Sequence, residues 1–182
     1  MIVMPENIIL WRHAEAKDVI EGDGVNQINT LQIDTTQSDL QRALTQKGLQ
    51  QASDTAKWLK VNLPKNVSLQ CSPALRAYQT AKALQALNKS YKINITQALK
   101  PNASLHAALG CITQSNSADS LVIVGHQPCL GQLAAHLFGF AEAEIAIKKG
   151  AFWWLRLNKA RLKDKSLLAQ YNIHTVQTPS LL

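Results

Sequence analysis

Short unbroken apolar runs alternate along this chain with longer stretches whose apolar residues recur at helical spacing. Asn7–Trp11 (NIILW) and Ser120–Gly125 (SLVIVG) are rich in β-branched residues and too short for an amphipathic helix, so each reads as a strand buried on both faces. Val67–Cys71 is a third candidate strand and Lys92–Ile95 a weaker fourth. Between them, Thr45–Val61 carries Leu49, Ala52, Ala56 and Leu59 at the spacing of one helix face. Ser72-Pro73 predicts the opening of a second helix, Ala74–Leu87, because serine accepts from an orphan N–H as N-cap and proline suits the first helical position. Pro128 marks another helix start, running to about Phe138, and Ala151–Leu157 with Leu167–Ile173 read as strands of a sheet edge. This alternation predicts an α/β chain, a three-layer α/β/α sandwich around a mainly parallel sheet.

One stretch breaks the pattern. Lys17–Ala43 has scattered carboxylates, Asn, Gln and Thr with no persistent period, and reads as a long loop and candidate lid. No internal repeat or linker divides the 182 residues, so residues 1–182 are expected to form a single domain. With 46% apolar and 17% charged residues, disordered and low-complexity classes drop out. No run approaches the roughly 18 apolar residues of a membrane span, and Met1–Leu10 carries Pro5, Glu6 and Asn7 where a signal peptide needs a basic and then an apolar run. A cytoplasmic location is the expectation, with no membrane partner. Cys71, Cys111 and Cys129 are widely spaced and without a CxxC, as reduced thiols would be.

Charge narrows the partners without choosing one. Residues 1–60 hold 6 Lys/Arg against 8 Asp/Glu, whereas residues 61–182 hold 13 against 4, so the second part carries +9 of a net +7 for the chain. Such a field favours anionic partners of any kind. The choice falls to particular side chains. Arg12-His13 directly follows the first strand, Arg76 lies in the first turn of a helix that follows a strand, and His126 sits between a buried strand and a helix. Ligands of open α/β sheets bind at such carboxyl ends of strands. Two arginines offer planar, permanently charged forks for phosphate oxygens, helix N-termini add N–H donors, and a histidine serves as nucleophile in its neutral state.

At these residues the sequence resembles a known family. Leu10-Trp11-Arg12-His13-Ala14-Glu15-Ala16 is similar to the RHG signature of the histidine phosphatase superfamily, with alanine in the glycine position. Leu44-Thr45-x-x-Gly48-x-x-Gln51-Ala52 resembles that family's first helix, Cys71-Ser72-Pro73-Ala74-Leu75-Arg76-Ala77-x-Gln79-Thr80-Ala81 its SPLxRAxQTA segment, and Val124-Gly125-His126-Gln127-Pro128 the turn with its second histidine. The motifs stand in family order across residues 10–130 and look most like the small SixA-type phosphohistidine phosphatases. The resemblance implies a phosphoglycerate mutase-like fold, His13 as nucleophile, Arg12 and Arg76 as phosphate clamps, and His126 as the fourth residue, cationic or donating. It implies no metal and no organic cofactor.

Two departures bear on chemistry. Ala14 adds a methyl group where backbone approaches phosphate, which requires a negative φ there. Gln127 follows the second histidine where one branch has an aspartate proton donor, and Leu99-Lys100-Pro101-Asn102 lacks the glutamate of mutase-like members, so an evident general acid is missing. An alkoxide leaving group needs such an acid, worth roughly 10² to 10⁴ in rate. A phosphoimidazole leaves as neutral imidazole once solvent has protonated its ring. The expected substrate is therefore phosphohistidine of a phosphorylated protein, a histidine phosphotransfer domain or phosphocarrier. A small phosphate ester, handled by a broad-specificity or mutase-like enzyme, is the alternative, and a non-catalytic phosphate-binding signalling module a further one.

Blander readings cover the remaining candidates. Cys71 to Arg76 encloses four residues, one short of the five in the loop of cysteine phosphatases, so Cys71 reads as an inert buried thiol. His13-x-Glu15 with Pro128-Cys129 mimics part of a zinc deaminase signature, but Gln132 stands where its second cysteine belongs. Glu15 reads as a solvated or loop-pairing carboxylate, although a lid bearing Asp18, Glu21 and Asp23 offers acids. His106, His136 and His174 read as ordinary helix or tail histidines, Trp153-Trp154 as core and edge of one strand, and Gln79 and Thr80 as helix packing. Lys148-Lys149 and Arg156 to Lys165 read as a solvated face with no nucleic-acid motif beside them.

Overall fold

In the computed structural model, the described residues are 4–18, 39–115, 119–140, 143–161 and 170–182. They form one six-stranded sheet of order β3-β2-β4-β1-β5-β6, with β1 Asn7–Arg12, β2 Val67–Cys71, β3 Ile93–Ile95, β4 Ser120–Gly125, β5 Phe152–Leu157 and β6 Tyr171–Gln177. Four strands run parallel, and β5 and β6 are added antiparallel on the β1 side. Helices α1 Gln46–Asn62 and α2 Leu75–Leu87 cover one face, while α3 Leu105–Thr113 and α4 Cys129–Phe138 cover the other. The expected three-layer α/β/α architecture is present.

The continuous apolar runs follow from this layering. Ile8, Leu10, Leu121 and Ile123 point into the core beneath α3 and α4, and Ile9, Trp11, Val122 and Val124 into the core beneath α1 and α2, so both faces of β1 and β4 are dry. Trp11 is fully buried and its indole N–H donates to the Gly150 carbonyl at 3.1 Å. A Trp→Ala change at such a position costs about 3–5 kcal/mol. In β5, Trp154 is buried with its indole N–H on Asn7, whereas Trp153 lies half-buried on the opposite face beside Phe138, the expected strand alternation.

Element edges differ from the sequence pattern in instructive places. Thr45 caps α1, its hydroxyl accepting from the Gly48 N–H at 2.9 Å, and Ala52, Ala56 and Leu59 are buried while Leu49 is 44% exposed. Ser72 does not cap α2. That helix starts at Leu75 after Ala74, and the Ser72 hydroxyl accepts from the Ala74 N–H while also meeting a distant side chain. The last strand spans Tyr171–Gln177, later than Leu167–Ile173, and residues 167–169 lie outside the described residues. Of the candidate lid 17–43, residues 19–38 likewise lie outside them. Its two ends meet: Ala16 bridges Leu44, and the Lys17 N–H donates to the Ala43 carbonyl at 2.9 Å.

Candidate active site

Strand register assembles the site. Arg12 pairs with Gly125 across β1 and β4, and Cys71 with Val124 across β2 and β4, so the three strands end nearly flush. The ladder runs one step further, with His13 N–H on the Gly125 carbonyl at 3.1 Å and Ser72 N–H on the Val124 carbonyl at 3.0 Å. His13, Ser72 and His126 therefore leave the sheet side by side. The His13 and His126 rings lie 4.9 Å apart at 53°. His13, Arg76 and His126 are only 7%, 4% and 4% exposed, and Arg12 is half-buried.

The backbone that presents His13 is tied down on every side. Ala14 N–H donates to the Thr80 hydroxyl, which donates in turn to the Arg76 carbonyl, and Glu15 N–H donates to the Gln51 side chain. Gln79 accepts from the Leu44 N–H. Thr80 and Gln79 thus tie Ala14 and Leu44 to α2 by hydrogen bonds, more than the helix packing expected of them. A Cβ on Gly48 would sit 1.9 Å from the Glu15 carbonyl oxygen, which explains the glycine in the first-helix motif: α1 starts against the nucleophile loop. Ala14 meets its condition, because Asn102 is the one non-glycine residue with positive φ among the described residues.

Each of the four side chains is held at one end and free at the other. His13 Nδ1 lies 2.7 Å from the Ala14 carbonyl, an atom that can only accept, so Nδ1 carries the proton and Nε2 keeps its lone pair. Arg12 donates through Nη1 to the Ile147 carbonyl at 2.7 Å. Arg76 donates through Nη1 to the Asp39 carbonyl at 2.6 Å and through Nη2 to its carboxylate at 2.9 Å. His126 Nε2 lies 2.7 Å from the Ser72 hydroxyl. Arg12 Nε, Arg76 Nε and His126 Nδ1 are buried and make no hydrogen bond. Buried N–H groups left unpaired cost roughly 1–3 kcal/mol each, more when charged, and an oxyanion accepts from groups of this kind.

Electrostatics keep both imidazoles neutral. Burial pulls His13 from 6.5 to about 4, against the Ala14 hydrogen bond and with help from the Arg76, Arg12 and Lys149 charges. Burial pulls His126 to about 3, with His13 and Arg76 adding to it and Asp39 opposing. His126 is thus neutral and not the cation that was one of the two states expected for it. Burial pushes the Asp39 carboxyl up, but hydrogen bonds to Arg76 and Arg42 outweigh this and hold it below its ordinary value. Glu15 is held low by hydrogen bonds from Lys47 and Thr45. Burial raises the Cys71 thiol to about 12, which disposes of a thiolate nucleophile.

The structure places Arg12, His13, Arg76 and His126 around the carboxyl ends of β1, β2 and β4, with the His13 and His126 rings in contact. His106 on α3, His136 on α4 and His174 on β6 stay outside the site. Sequence reasoning missed three partners. Ser72 was read as a helix cap, Asp39 carried no local signal beyond its Arg42 pair, and the Ile147 carbonyl is 135 residues from Arg12. Among the described residues no three His, Cys, Asp or Glu side chains converge as a metal ion would need.

Known proteins resemble this arrangement. A sequence profile of the histidine phosphatase superfamily (branch 1) matches residues 8–101. An uncharacterised protein of Picosynechococcus is 39% identical over 95 residues, 50% of this chain, and the match spans 58% of that relative's length. SixA of Agrobacterium tumefaciens superposes with a TM-score of 0.72 at 19% identity, over 97% of this chain and all of that one. The protein histidine phosphatase SixA in complex with tungstate gives 0.69 at 21% identity, over 96% and 97% of the two chains. The alpha-ribazole phosphatase of Shigella flexneri gives 0.65 at 14% identity, over 95% and 96%. At these identities the structural likeness speaks for the fold.

Proposed function

The chain belongs to the histidine phosphatase superfamily, and on that premise we propose that it removes phosphate from phosphohistidine of a signalling or phosphotransfer protein, through a phosphohistidine of its own. One observation carries this reading: Arg12, Arg76 and His126 each keep a buried nitrogen without a partner, next to a histidine whose Nε2 lone pair is left free by the Ala14 hydrogen bond. The His13 Nε2 lone pair attacks phosphorus in line and forms the new N–P bond. The bond from phosphorus to the substrate imidazole breaks, and its electron pair stays on that ring, which leaves neutral because solvent has already protonated its other nitrogen. The two Nε–H groups and the His126 N–H hold the non-bridging oxygens throughout. Water then attacks phosphorus, the electron pair returns to Nε2, and inorganic phosphate departs.

The carboxylates favour the P–N substrate. Asp39 and Glu15 lie by the site, and both are held ionised by cationic partners, so neither supplies the proton that an alkoxide would need. The exposed Lys148 and Lys149 beside the site suit an acidic protein surface. All three cysteines are free, which suits a reducing cytoplasm. The likeness to an alpha-ribazole phosphatase keeps a phosphate ester in view as the second substrate class. The test is phosphate release from phosphohistidine proteins beside sugar and aryl phosphates, with His13→Ala as blank. Faster turnover of sugar phosphates than of phosphohistidine would overturn the substrate assignment.

A further inference from the structure

The Ser72 hydroxyl has two hydrogen bonds and one proton. It is fully buried, accepts from the Ala74 N–H at 3.2 Å, and meets His126 Nε2 at 2.7 Å. The Ala74 bond uses a hydroxyl lone pair, so the hydroxyl proton has a single acceptor in reach, the Nε2 lone pair. The reverse arrangement, with Nε2–H donating to Ser72, strands the hydroxyl proton in a dry interior. It also turns a lone pair at Nδ1 toward the phosphoryl oxygens.

We infer that Ser72 is a positioning residue that fixes His126 as the Nδ1–H tautomer, so that a neutral imidazole offers an N–H to the phosphoryl group. The inference rests on the phosphatase reading of the site. Both histidines then carry their proton on Nδ1 and meet the substrate with opposite ends. His13 spends its N–H on the Ala14 carbonyl and presents a lone pair to phosphorus. His126 has its lone pair covered by Ser72 and presents its N–H, which is buried without a protein partner. Serine therefore stands at position 72 for its hydroxyl proton rather than as a helix cap. A neutral donor also suits its place beside two guanidinium groups, where an imidazolium would add a third cation.

Ring-nitrogen NMR of the whole ¹⁵N-labelled chain tests this, with inorganic phosphate as the anion probe and p-nitrophenyl phosphate as the kinetic substrate. In the unaltered protein near neutral pH, His126 is expected to show a protonated Nδ1 and an unprotonated Nε2, and added phosphate should shift Nδ1 most. In Ser72→Ala the Nε2–H form should appear, with kcat/KM down by roughly ten- to a hundredfold, as is typical when the residue orienting a site ligand is lost. A protonated Nε2 in the unaltered protein, or a Ser72→Ala chain with the same tautomer and activity within about twofold, overturns the inference. The spectrum of the unaltered protein decides the tautomer whether or not the variant folds. Absence of activity on every phosphorylated substrate would instead defeat the phosphatase reading and leave the tautomer result standing.

Discussion

Two places in this molecule differ in what their side chains leave unpaired. One is a hollow of about 400 Å³ beside β2, β3 and α3, lined by Ser68, Gln70, Asn94, Thr96, Gln114 and their neighbours, all neutral. The other lies at the carboxyl ends of β1, β2 and β4 and gathers two guanidinium groups and two imidazoles, three of whose donors are buried without partners. Guanidinium groups there are tied at their outer nitrogens to Asp39 and Ile147 but keep buried Nε–H groups unpaired, a cost that a bound anion would offset, whereas carboxamides and hydroxyls at a surface hollow are met by solvent.

Substitutions sharpen this contrast in order of size. His13→Ala should reduce turnover of any phosphorylated substrate to background and abolish acid-labile phosphate on the protein; near-normal turnover would break the assignment. Arg76→Ala should lower kcat/KM by roughly 10² to 10³, about 3–4 kcal/mol of transition-state stabilisation, since it removes a charge-assisted donor from a dry site. It should also free Asp39, which now holds the outer end of that guanidinium.

Acid should expose the same asymmetry as stability. His13 and His126 are held to about 4 and about 3 in the folded chain, from an ordinary 6.5. Above pH 6.5 both are neutral, folded or unfolded, and nothing is lost. As pH falls from 6.5 toward 4, the unfolded chain takes up protons that the folded one refuses. Stability should then decline by up to about 1.4 kcal/mol per pH unit for each histidine, and level off below the folded values. Thermal unfolding between pH 7.5 and 5 measures this, and a flat profile would contradict the burial of two neutral imidazoles. Asn94→Ala, in the neutral hollow, should do least: stability within about 0.5 kcal/mol and kcat/KM unchanged. A loss of activity there would mean that the neutral hollow communicates with the histidine site.

Much of the architecture was readable because its causes are local. β1 and β4 announce themselves as unbroken apolar runs because both of their faces are covered. α1 announces itself by its spacing, and Thr45, where the helical stretch was expected to begin, turns out to be its cap. Leu49 misled, since a leucine at helical spacing was counted with the core face and turned out 44% exposed. Ser72 misled in a more telling way. Serine before proline is a sound helix-start signal, and here tertiary structure overrode it by bringing a histidine 54 residues away within 2.7 Å.

What the sequence determined by itself is the inventory and its approximate address: an α/β chain with Arg12, His13, Arg76 and His126 each at the end of a strand or the start of the helix that follows. Periodicity and turn chemistry depend on neighbours a few residues away, so a linear pattern carries them. What the tertiary structure decided is the state of those groups. The ends at which Arg12, Arg76 and His126 are tied, and the pairing of Asp39 with Arg76, depend on partners 37 to 135 residues distant, whereas the His13 proton is held by the carbonyl of the next residue. Such partners are chosen by strand register and burial, and a sequence pattern contains neither.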